Sequence, residues 1–180
     1  MQGGGALPGL SRRRCARDTG HSENPAGVTR DLCYPLRLIL DPRLQTALVA
    51  IEHHYGARLM AVALFGSRVG KRARDESDWD LLLVVDEREP IRRTLYREWD
   101  AAVAPSVEGS LTGIAPHFVH LPDERDEPSG FWLEIAMSHV VLRDPTGRLA
   151  SCLGRVRTLV ETGRFERRAV HGCGYWRRAG

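Results

Sequence analysis

Phe65-Gly66-Ser67 closes one apolar run and Asp78-Trp79-Asp80 opens the next, with ten residues between Ser67 and Asp78. The two groups offer complementary chemistry. Gly66 has no side chain, so a phosphate can approach the main chain closely there. Ser67 is expected to open a short helical turn whose free N–H groups and positive dipole end suit an anion. Arg68 and Lys71 lie within reach of that turn and are expected to neutralise phosphate oxygens. Side chains alternate faces along an extended chain, so Asp78 and Asp80 point one way and Trp79 the other. Two carboxylates on one face suit Mg²⁺, a hard cation that completes its shell with water and substrate phosphates.

Other phosphate and metal motifs fit less well. A P-loop needs four residues between its first glycine and Gly-Lys, then Ser or Thr. Here Gly66 to Gly70-Lys71 leaves three, and Arg72 follows. The acidic cluster Asp75–Asp80 lacks the glycine and terminal Glu of an EF-hand loop. Glycosyltransferases also use Asp-x-Asp, but nothing upstream looks like their nucleotide fold.

The stretch Ala61–Val85, with Gly66-Ser67 followed ten residues later by Asp78-Trp79-Asp80, resembles the signature of the DNA polymerase β-like nucleotidyltransferase superfamily, most of all its minimal prokaryotic members. The resemblance implies a small α/β (α+β) fold, a mixed sheet of about four to five strands with helices packed on it. It implies an enzyme that moves a nucleoside monophosphate from an NTP to a hydroxyl of a small molecule or partner protein, releasing pyrophosphate. ATP is the family-level default. Asp78 and Asp80 would be the catalytic metal ligands, while Gly66 and Ser67, assisted by Arg68, would hold the β/γ-phosphates. In the two-ion version of this chemistry the Mg²⁺ ions sit about 3.5–4 Å apart.

The pattern departs from the family in one place. A third carboxylate is expected on a later strand, and the matching run Gly113–Leu121 contains no acid. His117 is a candidate for that position as base or ligand, and equally reads as a hydrogen-bonded strand histidine. Glu108 is a weaker substitute. A second reading follows: an antitoxin-like module that binds nucleotide or a partner without turnover.

The elements that must position these groups can be read from periodicity. Leu59–Phe65 is a continuous apolar run bounded by glycines, and Asp80–Val85 is another; both read as buried strands. Upstream, Asp41 is a suitable N-cap and Pro42 a suitable first residue for a helix carrying Leu44, Leu48, Ile51 and Tyr55, which Gly56 ends. His53 and His54 fall in its last turn. Downstream, Pro90–Ala104 carries Ile91, Leu95, Trp99 and Val103 at helical spacing and is closed by Pro105. A strand over Ile114–Leu121 and a charged loop, Pro122–Pro128, follow. Phe131–Met137 reads as a helical turn or two with Phe131, Trp132 and Ile135 inward. His139–Leu142 reads as a strand, Asp144–Gly147 as a turn, and Arg148–Glu161 as an amphipathic helix stopped by Gly163.

The chain has 180 residues, 42% of them hydrophobic, which allows one domain with a real core. That domain is expected over 36–163. Residues 1–35 are rich in Gly, Pro, Ser and Arg and are expected to be disordered. Arg12-Arg13-Arg14 has no adequate apolar stretch after it for a secretory signal, and no run is long enough to span a bilayer, so a cytoplasmic protein is the default. Cys15, Cys33, Cys152 and Cys173 are scattered and read as free thiols. A net charge of +3 gives no argument for nucleic acid by itself. Residues 164–180 mix arginines with Phe165, Tyr175 and Trp176. They read as an extended segment packed through its aromatics, as a surface for a partner such as a toxin, or as a nucleic-acid contact, in that order.

Overall fold

The computed structural model describes residues 41–69, 78–107, 113–171 and 173–180. The tail over 1–35, Lys71, Glu108, Cys15 and Cys33 lie outside the described residues. Helix α1 is Pro42–Tyr55. The Asp41 carboxylate accepts the Arg43 N–H at 3.0 Å and its guanidinium at 2.8 and 2.9 Å. The Arg43 bonds hold Asp41 below the usual carboxylate range. Leu44, Ala47, Ile51 and Tyr55 are buried, and Gly56 ends the helix at φ +51°. In its last turn His54 Nε2 lies 3.4 Å from Glu98.

Strands β1, Leu59–Phe65, and β2, Trp79–Val85, are the two apolar runs. With β3, Ile114–Val119, and β4, His139–Arg143, they form a mixed sheet in the order β3-β2-β1-β4. β1 is antiparallel to β2 and β4, whereas β2 and β3 are parallel. This is the α+β architecture expected. The central strands read as unbroken apolar runs because both faces are covered. Val62, Leu64, Leu81 and Leu83 join the core beneath α1, while Ala61, Ala63, Leu82 and Val84 join the core on the opposite face.

The crossover from β2 to β3 corrects one expectation. Instead of one helix stopped by Pro105, α2 covers Arg93–Glu98, a π-helical turn covers Trp99–Val103, and α3, Ala104–Val107, contains Pro105. The Ala104 N–H reaches the Trp99 carbonyl, five residues back. A proline in a regular helix lacks a donor and crowds the carbonyl four residues earlier. The wider π turn gives its ring room. Leu95, Trp99 and Val103 are buried as expected, but Ile91 precedes the helix and is exposed.

The second face is covered by α4, Gly130–Met137, and α5, Arg148–Glu161. Trp132, Leu133, Ile135 and Ala136 of α4 are buried, but Phe131, expected inward, is 38% exposed. The Asp144–Gly147 turn closes with the Gly147 N–H on the Asp144 carbonyl at 3.2 Å, with Gly147 at φ +69°. Leu149, Cys152, Leu153 and Val156 of α5 are buried, and Cys152 is free. Burial pushes its thiol up.

The C-terminal segment is a hairpin of β5, Phe165–Val170, and β6, Cys173–Arg178, turning through His171 at φ +50°. Phe165 and Trp176 pack on the α4–α5 side, and the Trp176 indole N–H donates to Glu134 at 2.9 Å. Arg167 pairs with Glu134, while Arg164 and Arg178 pair with Glu127. Tyr175 stays exposed. No helix among the described residues is long and apolar enough to cross a membrane.

His139 and Arg157 cap the C-terminal carbonyls of α4. His139 Nδ1–H donates to the Ile135 carbonyl at 2.8 Å, and the Arg157 guanidinium donates to the Ala136 carbonyl at 2.8 and 3.2 Å. Burial lowers the His139 pKa below its ordinary value; the Ile135 carbonyl opposes this and Arg157 adds to it. A lowered folded-state pKa means the unfolded chain binds more protons, so stability falls as pH drops below about 6.5. In urea denaturation, the stability gap between wild type and His139→Asn is expected to narrow from pH 7.5 to pH 5. A gap independent of pH would show that the ring is not held neutral by its surroundings.

Candidate functional site

β1 and β2 fix the site by register. Phe65 at the end of β1 pairs with Asp80 near the start of β2, so the chain leaving β1 passes beside the Asp80 carboxylate. Gly66 follows at φ +78°, a conformation that L side chains rarely adopt. A Cβ at Gly66 would fall on Asp80 Oδ2, well inside van der Waals contact. The room expected for a phosphate thus borders a carboxylate as well as bare main chain. Ser67, Arg68 and Val69 continue as a turn, closed by the Val69 N–H on the Gly66 carbonyl at 3.2 Å. Ser67 is exposed.

Asp78 lies just before β2 and is exposed. The Trp79 N–H bonds the Gly113 carbonyl at 3.0 Å, tying this end of β2 to the start of β3. The Asp78 carboxylate stands over Gly113, where an added Cβ would meet its Oδ1 at 3.3 Å. The two aspartates therefore share one end of the strand but turn to different neighbours, Asp78 to Gly113 and Asp80 to Gly66.

Alternation places Asp80 on the α4–α5 side of the sheet and Trp79 on the α1 side, where its indole is buried. The Arg68 guanidinium lies 4.8 Å from the centroid of the Trp79 ring. That contact ties Arg68 to the Trp79 ring of β2. Its position there fits an anchor for the turn.

β3 runs parallel to β2 with Ala115 opposite Asp80 and His117 opposite Leu82, so His117 shares the Asp80 face. Its Nε2 lies 3.4 Å from Asp80 Oδ1, and its side chain is 40% exposed. The strand itself carries no acid. Among the described residues no three His, Cys, Asp or Glu side chains converge as a metal cage. The donors present, two carboxylates at one strand end, suit a cation that keeps water and substrate oxygens in its shell. Mg²⁺ meets that description, with Asp78 and Asp80 as the residues that would hold it.

Sequence reasoning missed the aromatic side of this site. The His117 ring meets the Phe65 ring edge-on at a centroid distance of 5.0 Å, and Phe65 meets Phe131 at 5.6 Å. The only sequence signal was position: Phe65 directly precedes Gly66, and Phe131 opens a helix.

No protein-family model matches the sequence, and no curated protein matches it. Among solved structures the chain is similar to a toxin-antitoxin with AMP-PNP, with a TM-score of 0.46 and 11% identity over 67% of this chain and 88% of that one. It is similar to the toxin-antitoxin MntA-HepT at 0.43 and 10%, over 67% and 89%. It is also similar to the spectinomycin adenyltransferase AAD(9) from Enterococcus faecialis with ATP and spectinomycin, at 0.44 and 13%, over 68% and 65%.

The Gly66–Asp80 contact can be measured. Gly66→Ala is expected to destabilise the fold by roughly 1–3 kcal/mol, from a strained backbone and the displaced carboxylate. In an Asp80→Ala background the cost should shrink, because the carboxylate part is gone. A double-mutant cycle by urea denaturation reads this directly; strictly additive costs would mean the carboxylate does not lie over Gly66.

Proposed function

We propose that this chain is a Mg²⁺-dependent nucleotidyltransferase that moves a nucleoside monophosphate, AMP from ATP by default, to a hydroxyl of a small molecule or partner protein. The observation that carries the reading is the packing of the Asp80 carboxylate over Gly66, with Asp78 at the same strand end. A triphosphate at the Gly66–Ser67 turn would lie against a negative carboxylate, an arrangement that favours binding only with a cation between them.

In this reading the main chain of Gly66 and Ser67 holds the β/γ-phosphates. Asp78 and Asp80 hold the cation, which when bound neutralises charge developing on the departing pyrophosphate. His117, whose Nε2 lies 3.4 Å from Asp80, would take the proton of the acceptor hydroxyl or add a ligand to the cation. Arg68, stacked on Trp79, steadies the turn. The protein's contribution is then positioning and charge compensation.

One observation favours a second reading. His117 stands on β3 where the resemblance calls for a carboxylate, so the same site would bind nucleotide without turnover, as an antitoxin-like module. The two readings share the binding step and differ in pyrophosphate release.

The binding step is tested by thermal unfolding of wild type and an Asp78→Asn, Asp80→Asn double variant, with Mg²⁺, ATP or both. At ligand near 100 times its dissociation constant, linkage gives about 2.7 kcal/mol. For a domain of this size that raises Tm by roughly 5–10 °C. The shift should need both ligands and vanish in the variant. No shift with any NTP, from a folded sample, would refute the enzyme and the nucleotide-binding module and leave a partner-binding module in front.

A further inference from the structure

We propose that Phe131, with Phe65 and His117 beneath it, is the platform on which the nucleobase of a purine NTP stacks; this rests on the reading of the Gly66–Asp80 region as an NTP site. The three rings are contiguous. Phe65 lies 5.0 Å from His117 and 5.6 Å from Phe131, and His117 lies 6.4 Å from Phe131 with the two planes tilted by 40°. His117 connects the cluster to the chemistry, because its Nε2 is 3.4 Å from Asp80. Phe65 directly precedes Gly66, so the rings border the turn proposed to hold the triphosphate, within the span of a ribose and base.

The exposure of Phe131 is the second strand of the argument. A lone exposed apolar residue is ordinary on a protein surface. Phe131 is not alone: it opens a helix whose Trp132, Leu133, Ile135 and Ala136 are buried, yet it stands 38% exposed at the rim shared with His117 and Asp80. Phe65 is half-buried beside it. A base laid on Phe131 would cover that exposed ring. Every base has a π-face, so such a platform tolerates different bases, with preference following stacking strength. The two phenylalanines have no hydrogen-bonding groups, which leaves stacking area to favour purine over pyrimidine.

Calorimetric titration of ATP, CTP and inorganic triphosphate, each with Mg²⁺, tests the assignment on wild type, Phe131→Ala, Phe131→Leu and Phe131→Tyr. Melting temperatures without ligand establish that each variant is folded. Phe131→Ala and Phe131→Leu should weaken ATP by about tenfold or more, the scale of base–aromatic stacking, while triphosphate affinity stays unchanged. Phe131→Tyr should bind ATP like wild type, and the preference for ATP over CTP should shrink in the Ala and Leu variants. The Leu variant keeps apolar bulk, so it decides the matter where Ala does not fold. Equal losses for ATP and triphosphate, or none for either, would overturn the platform while leaving the NTP site standing. A wild-type protein that binds neither ATP nor triphosphate would instead overturn the NTP site and the platform with it.

Discussion

The Asp80 carboxylate fills the space that any side chain at residue 66 would need, and much of the site follows from that contact. It comes from register: Phe65 pairs with Asp80, so the residue after Phe65 must turn away under the carboxylate. Glycine answers both demands, since it adopts φ +78° without strain and leaves the volume empty. The register itself is held by two buried strands whose side chains feed separate cores on the two faces. A one-residue slip would send Leu82 and Val84 to the wrong face along with Asp80. The stability of the sheet and the placement of the carboxylate are therefore one constraint.

Alternation along β2 divides its labour. Trp79, Leu81, Leu83 and Val85 build the core beneath α1, while the other face carries Asp80 at its open end and Leu82 and Val84 in the α4–α5 core. The buried Trp79 ring then serves a surface purpose, since the Arg68 guanidinium lies over it. The turn that follows β1 is gripped from both sides of the sheet: Gly66 by Asp80 on one, Arg68 by Trp79 on the other.

Where one local cause decided the outcome, the sequence was legible. Asp41-Pro42 started a helix and Gly56 ended it, and the strands beginning at Leu59 and Trp79 showed as unbroken apolar runs. The Asp144–Gly147 turn was equally local. The misreadings needed tertiary knowledge. Pro105 looked like a stop signal, and only the π turn before it lets the helix continue. Phe131 fitted the inward spacing of its helix, but facing Phe65 put it on the rim. The stacking of Arg68 on Trp79 was not legible, because it depends on which face each strand residue takes. For the 165–178 segment, packing through Phe165 and Trp176 was readable, but its folding into a hairpin and the pairing of its arginines with Glu127 and Glu134 were not. The pairing of His117 with Asp80 was half visible: the residue was singled out, but its partner depended on strand order.

Charge sets the last condition on the proposed chemistry. A phosphate oxygen brought within about 4 Å of a carboxylate at an effective dielectric near 20 meets a repulsion of about 4 kcal/mol per unit charge pair. Asp80 beside Gly66 imposes that repulsion on any anion at the turn, and Asp78 adds a second negative group at the same strand end. His117 contributes at most one positive charge, and only when protonated. A divalent cation held by Asp78 and Asp80 would outweigh that repulsion by its attraction to both carboxylate and phosphate, so the feature that most opposes a bare anion would favour a metal-bound one. In the proposed reading, Gly66 without Asp80 would be a generic anion turn, and Gly66 beneath Asp80 would discriminate in favour of a phosphate that arrives with its cation.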